Sequence, residues 1–325
     1  MACGECTIIR WQARRTTAYE NTCPIELLLN RGIITNLRKS WGNCACLHYN
    51  RVMNLTPSSS FLAALTTRFQ ALQQRIQQLP PAGARPLTVA GRVSGWVTAR
   101  ATLALAGLPG VAITSEAVHI HALVARGLPL NQVLETVAHT LKNAGCLRGW
   151  RNELLDVVGE GQVLGVIERA ALRPLGMLTR AVHLNAWTPD GRLWVARRSA
   201  TKTTDPDMLD TLVGGLAGAG ESLDTALLRE SYEEAGLAPQ VLGGRTPVRV
   251  ITRMHRHLPE GYQVEDALVS ECVLDAEVRP VNQDGEVSEI MALDIEDVWA
   301  RILADEFTLE AELVVLDSLM ARLRV

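Results

Sequence analysis

Gly214-Gly-Leu-Ala-Gly-Ala-Gly-Glu-Ser-Leu-Asp-Thr-Ala-Leu-Leu-Arg-Glu-Ser-Tyr-Glu-Glu-Ala-Gly-Leu237 starts as a glycine-rich loop and ends as an acidic helix. Ser222 supplies an N-cap and Gly236 a C-terminal stop, so the spacing predicts a helix from Leu223 to Ala235. At about 100° per residue, Glu230, Glu233 and Glu234 fall within an arc of roughly 100° on one face. Like charges one turn apart cost a few tenths of a kcal/mol per pair, so three together are expected to serve a shared purpose. Leu228 and Tyr232 lie on the other side and are expected to anchor the helix to a sheet. Hard divalent ions take several carboxylate oxygens, and an acid face over a glycine-rich turn offers them. Gly214 and Gly215 let the backbone approach a phosphate or a metal closely. Arg229, beside the acid face, can hold a carboxylate with two parallel hydrogen bonds.

Outward from this stretch, strand signals surround it. Ala181–Trp187 and Leu193–Arg197 flank Thr188-Pro-Asp-Gly191, a β-hairpin with its turn residues in place. Val248–Met254 and Val264–Leu274 are further β-rich runs. Ile295–Leu303 and Leu309–Leu323 carry helical stripes, the second capped by Thr308. Upstream, Phe61 to Ile76 recurs at helical spacing until Pro80-Pro81, and Asn131–Asn143 reads as a helix capped by Asn131 and ended by Gly145. Leu87–Ile120 mixes short β-rich runs with tight turns. The expected fold class is α+β. Residues 53–176 are expected to form a small α+β N-terminal domain and residues 177–325 an α+β sandwich.

The first fifty residues do not match the rest. Five of the seven cysteines lie there, at Cys3, Cys6, Cys23, Cys44 and Cys46, without sustained periodicity. They lack tight four-ligand zinc spacing, and residues 1–52 are expected to be a poorly ordered extension before the more regular stretch that opens at Met53. A continuous apolar core for a secretory signal is missing, and no apolar run is long enough to span a bilayer. With 325 residues, 47% of them hydrophobic, and a net charge of -3, the chain reads as an ordinary globular protein without a nucleic-acid or membrane footprint. The expected compartment is the cytoplasm. The oligomeric state is left open, a homodimer included.

Eight specified positions share one spacing: Gly215, Glu221, Arg229-Glu230, Glu233-Glu234 and Gly236-Leu237. That pattern resembles the Nudix box, G-x5-E-x7-R-E-U-x-E-E-x-G-U with U a bulky aliphatic, departing from it only at Ser231. The resemblance implies a Nudix α/β/α sandwich. It also implies that Glu230, Glu233 and Glu234 bind Mg²⁺ or Mn²⁺, that Arg229 orients Glu230, and that Gly215 and Glu221 shape the loop. Arg197-Arg-Ser-Ala-Thr-Lys202, Met208–Gly215 and Asn282–Val287 are similar to Nudix proteins related to the Nudix portion of some thiamine pyrophosphokinases. This implies hydrolysis of a small-molecule diphosphate of the thiamine type to a monophosphate.

Arg197, Arg198 and Lys202 are candidate phosphate contacts, Lys202 as a point charge and the arginines as forks. Glu230, Glu265, Asp266 and Glu286 are candidates for the general base, with Glu286 placed in the catalytic set beside Arg229, Glu230, Glu233 and Glu234. Rival readings are a non-catalytic Nudix-like binding module, a thiamine pyrophosphokinase-related enzyme, and an isopentenyl-diphosphate-isomerase-like enzyme using Cys272. No P-loop is present for the kinase, and complete acids are not expected of a decayed binding module.

Overall fold

The computed structural model describes residues 59–202 and 204–324, which belong to one compact unit, Val52–Val325. The extension expected at 1–52, its cysteines and Met53 lie outside the described residues.

The first helix, α1 (Ser59–Arg75), is followed by a hairpin of β1 (Arg85–Val89) and β2 (Arg92–Val97) and by a short helix, α2 (Ala99–Ala104). Strands β3 (Val111–Ile113) and β4 (Val118–Ile120) complete a four-stranded sheet of order β2-β1-β4-β3. Helix α3 (Leu130–Asn143) then leads to a separate two-stranded sheet, β5 (Leu154–Gly159) and β6 (Gln162–Glu168). One core cluster gathers Leu87, Val97, Leu134, Leu141, Leu155 and Leu172 among others. Helix α3 begins one residue before the expected start, after Pro129. Asn131 does not cap it, because its Oδ1 accepts from the Val166 backbone N–H (3.1 Å) and ties the helix to β6.

After the short helix α4 (Leu172–Leu175), a seven-stranded mixed sheet is built. Its strands are β7 (Leu178–Trp187), β8 (Leu193–Arg198), β9 (Leu209–Thr211), β10 (Val213–Leu216), β11 (Arg249–Leu258), β12 (Gly261–Val273) and β13 (Val287–Leu293). The main path runs β11-β12-β7-β8-β13, with β10 on β7 and β9 on β8. β7 and β8 are joined by the expected turn, where the Thr188 hydroxyl accepts from the Arg192 N–H (2.8 Å).

Strand alternation explains the layers. Val182, Leu184 and Ala186 of β7 join a cluster with helix α5 (Leu223–Ala235). Trp187 joins another cluster with α6 (Ile295–Leu303), α7 (Leu309–Leu323) and α1, while Asn185 donates to Ser318 of α7 (2.9 Å). Helices thus cover both faces of the sheet. Thr308 caps α7 as expected, accepting from the Ala311 N–H (3.1 Å). Helix α1 buries Leu65 and Leu72 in the cluster formed with α7, and Arg68 pairs with Glu312 (2.5 Å). The division at 176/177 stands as a proposal that separates the four- and two-stranded sheets from the seven-stranded one, with α1 joining the core of the later part.

Helix α5 runs as its caps dictate: Ser222 accepts from the Thr225 N–H (3.1 Å) and Gly236 takes a left-handed φ of 64°. Of the two expected anchors, Leu228 packs against the cluster shared with β7 and Tyr232 does not. Ala226, Leu227, Ser231 and Ala235 are buried, whereas Tyr232 is 60% exposed. Ser231 is fully buried and its hydroxyl has no hydrogen-bond partner among the described residues. A buried polar group without a partner costs about 1–3 kcal/mol, and alanine is the better helix former. Ser231→Ala should therefore raise stability by roughly 1 kcal/mol, read as a higher melting temperature in thermal unfolding. A lower melting temperature would show that the hydroxyl is needed.

Candidate functional site

The glycine-rich loop is fastened at several points. The Ala217 N–H donates to the Arg180 carbonyl (3.0 Å) and the Ala219 N–H to the Leu154 carbonyl of β5 (2.9 Å). The Gly218 N–H donates to Glu221 Oε2 (2.9 Å) and the Gly220 N–H to Asp156 Oδ1 (3.0 Å). Both β5 groups come from the region before residue 177. The loop is thus held from both parts of the unit before it turns into α5.

Arg229 uses every donor of its guanidinium. Nε and Nη2 hold Glu221 as a fork (2.9 Å each), Nη1 donates to Glu230 (2.8 Å) and Glu233 (3.0 Å), and Nη2 also reaches the Leu216 carbonyl (3.2 Å). This fork, more than burial, holds the Glu221 carboxyl below its usual range. Glu230 lies against Gly215, where a Cβ would stand 2.0 Å from its carboxyl carbon. The close approach expected at Gly215 is therefore to the Glu230 side chain. Burial raises the Glu230 carboxyl, and the Arg229 charge only partly offsets this.

Glu234 is buried despite its charge. Its Oε2 accepts from the Gly214 N–H (2.9 Å), and Lys202 Nζ stands 3.7 Å from Oε1. Burial pushes its carboxyl up to about 8, aided by Glu230 and Asp210 and opposed by Lys202 and the Gly214 N–H. Lys202 also pairs with Glu286 and, with Arg169 and Arg198, outweighs burial to keep that carboxyl low. Carboxylate oxygens of Glu234, Asp284 and Glu286 lie within 4.8 Å of one another. An all-oxygen donor set with a buried carboxylate whose ionisation is opposed fits a hard divalent cation.

The remaining candidates separate in space. Arg198 borders the cavity beside the loop, but its guanidinium is engaged by Asp210 (2.8 Å) and the Thr204 and Asp205 carbonyls (2.9 and 3.1 Å). Arg197 instead holds the Asp207 carbonyl (2.8 Å) and stands 3.6 Å from Glu289. Glu265 is buried and accepts from Arg173 (2.7 Å), Thr179 (2.6 Å) and Gln263 (2.8 Å); Arg173 and Thr179 outweigh burial and hold its carboxyl below the usual range. Asp266 is taken by Arg253 (2.7 and 2.9 Å). Cys272 lies in the α5 cluster, and burial pushes its thiol up to about 12. An acid–base role of the isomerase kind is poorly served by that environment.

Beside Gly214 and Gly215 opens a cavity of about 680 Å³, within the range of small-molecule sites. Arg148, Arg151, Arg169 and Arg173, from before the sheet, help to line it. No motif in the sequence marks a site in that region. The only signal was the arginine density between 148 and 173. Asp284, two residues before Glu286, was also missed.

A glycine-rich strand edge, a loop and a glutamate helix, tied together by Arg229, are the parts that the Nudix box pattern specifies. The NUDIX domain family matches residues 177–312. A Nudix hydrolase of Deinococcus radiodurans is 30% identical over 159 residues, covering 49% of this chain and 88% of the relative. Nudix hydrolase 24, chloroplastic, of Arabidopsis thaliana is 32% identical over 193 residues, covering 56% of this chain and 52% of the relative. The crystal structure of DR0079 from Deinococcus radiodurans covers 48% of this chain and 92% of its own, at 30% identity and a TM-score of 0.37. The chain belongs to the Nudix hydrolase family. It spans about half the length of the first curated relatives it matches. Among the described residues no helix is long and apolar enough to cross a membrane.

Two outcomes follow from these contacts. Gly215→Ala should displace the Glu230 carboxyl and weaken binding of Mn²⁺, read by titration calorimetry; unchanged Mn²⁺ affinity would show that the contact is dispensable. For Glu234, the folded carboxyl is raised from 4.5 to about 8. Its contribution to the stability of metal-free protein is full below pH 4.5 and is lost as the pH rises through about 8. Glu234→Gln should therefore flatten the fall in melting temperature over that interval. A fall as steep as in the parent protein would place its cause elsewhere.

Proposed function

We propose that this protein is a divalent-metal-dependent pyrophosphohydrolase that cleaves the diphosphate bond of an organic diphosphate and releases a monophosphate. Thiamine-diphosphate-like compounds are the first candidates, on the resemblance of Arg197–Lys202, Met208–Gly215 and Asn282–Val287. The observation that carries the reading is the acid helix beside the Gly214–Gly215 edge of the cavity: Arg229 holds Glu230 and Glu233, while Glu234 stands with Asp284 and Glu286, and Lys202 reaches Glu234 and Glu286.

Glu230, Glu233 and Glu234 would hold Mg²⁺ or Mn²⁺. Bound there, such an ion supplies positive charge against the diphosphate oxygens and makes a water more acidic. Arg229 keeps Glu230 and Glu233 turned the same way. Gly215 leaves the room that the Glu230 carboxyl occupies. Lys202 keeps Glu286 ionised, so Glu286 can accept the proton of the attacking water. The water oxygen bonds to phosphorus, the P–O bond to the bridging oxygen breaks, and the leaving monophosphate retains that electron pair. Gly214 and Gly215 border the space where the phosphates sit, with Arg198 at its wall. Arg197 acts one step removed, by bracing the Asp207 turn. A cytoplasmic location remains part of this reading and rests on composition alone.

Hydrolysis of thiamine diphosphate and other organic diphosphates should require added Mg²⁺ or Mn²⁺ and stop with EDTA. Glu233→Gln removes one charge and should lower turnover about 10²–10³-fold. Its melting temperature should change little, because Arg229 already offsets the repulsion among the acids. Full turnover in metal-stripped protein, or an unimpaired Glu233→Gln enzyme, would overturn the mechanism.

A further inference from the structure

The turn that carries Arg169 is rigidly built. Glu168 is buried, and its Oε1 accepts from the Arg151 backbone N–H (2.7 Å) and the Ala170 N–H (3.4 Å). The Arg169 N–H donates to the Glu153 carbonyl (2.8 Å). The same short sheet fastens the glycine-rich loop through Leu154 and Asp156 of β5. The backbone beneath Arg169 and the loop ahead of the acid helix are thus parts of one framework.

The Arg169 side chain lines the cavity together with Gly214 and Gly215. It is 41% exposed and donates from Nη1 to Glu153 Oε2 (2.7 Å). Its charge also reaches the acids, lowering the proton affinity of both Glu230 and Glu286. A partly exposed ion pair such as Arg169–Glu153 is worth little, about 1 kcal/mol or less. A guanidinium has five donors in a planar fork that matches phosphate oxygens, and Glu153 takes one of them. Arg173 on the same wall is committed to buried Glu265, and Arg198 to Asp210, so neither is as available.

We propose that Arg169 holds a non-bridging phosphate oxygen of the substrate's diphosphate, so that the region ahead of the Nudix fold completes the active site. This rests on the hydrolase reading for the identity of the substrate. It adds to that reading a phosphate contact from outside the segment that carries the acids, and it gives the preceding region a direct role in binding. Because the turn is fixed by Glu168 and Glu153, the side chain is presented without ordering a loop, which lowers the cost of binding.

The test compares the parent protein with Arg169→Ala and Arg169→Lys. It reads Mn²⁺-dependent hydrolysis of thiamine diphosphate and ADP-ribose, calorimetric binding of methylenediphosphonate with Mn²⁺, and melting temperature. Arg169→Ala should raise KM and the methylenediphosphonate Kd by about 10–100-fold, with a smaller change in kcat. Arg169→Lys should recover part of this, since it restores the charge without the fork. If Arg169→Ala fails to melt cooperatively, Arg169→Lys and Arg169→Gln carry the comparison. Unchanged KM and Kd in folded variants would overturn the Arg169 contact and leave the hydrolase reading intact. Arg169-dependent binding without turnover of any diphosphate would overturn the hydrolase reading and leave the contact standing. Neither binding nor turnover in the parent protein would remove both.

Discussion

Arg229 satisfies three carboxylates with one guanidinium, and the geometry of the acid helix depends on it. Glu221 anchors one edge of the fork from the loop, while Glu230 and Glu233 take the other from the helix. Without such a cation, acids at positions 230 and 233 would repel each other and turn toward solvent. With it they stay together, and the loop is tied to the helix at the Leu216 carbonyl as well. A lysine could not serve here, because its ammonium is a point charge with no flat edge to offer Glu221. Gly215 is the steric half of the same constraint, since any side chain there would stand where the Glu230 carboxyl lies.

Glu234 shows the opposite solution on the same helix. It points into the protein, accepts the Gly214 N–H and has Lys202 as its nearest cation. A carboxylate in that position is costly to ionise, and the cost disfavours the charged form until a cation arrives. One helix therefore carries acids of two kinds: Glu230 and Glu233, both hydrogen-bonded by Arg229, and Glu234, whose charge is poorly compensated. This division lets the protein fold stably with its acids assembled while leaving a strong local demand for positive charge. The price is a pH-sensitive metal-free state.

Local signals were the ones legible in the sequence. Ser222, Gly236, Thr308 and the Thr188–Gly191 turn act through neighbours a few residues away, and each is where its chemistry placed it. The spacing of Gly215, Arg229, Glu230, Glu233 and Glu234 disclosed the family because the box is contiguous. Signals that compete with tertiary contacts were misread. Asn131 is a good capping residue, yet its carbonyl is used by β6. Leu228 packs against the α5 cluster as expected, but Tyr232 is exposed, and the most buried face of the helix is made by Leu227 with the small residues Ala226, Ser231 and Ala235. Helix α1 has a clear stripe, but nothing local tells that the stripe is met by α7 some 240 residues later.

The cavity wall belongs to the same class of hidden information. Arg148 and Arg151 lie in an irregular segment, Arg169 in the helical turn after β6 and Arg173 in α4, with no shared periodicity, so none resembles a motif. They converge because β5 docks on the glycine-rich loop, with Leu154 and Asp156 accepting from its backbone. That docking constrains function as well as stability. A loop fastened by two backbone donors to an upstream sheet cannot shift without carrying the Arg169 turn with it. The distance between the arginine wall and the acids is thereby set by short hydrogen bonds, with no long flexible connection in between. A site assembled in this way trades the freedom to close around many ligands for a fixed spacing, and a fixed spacing favours one arrangement of phosphates over others.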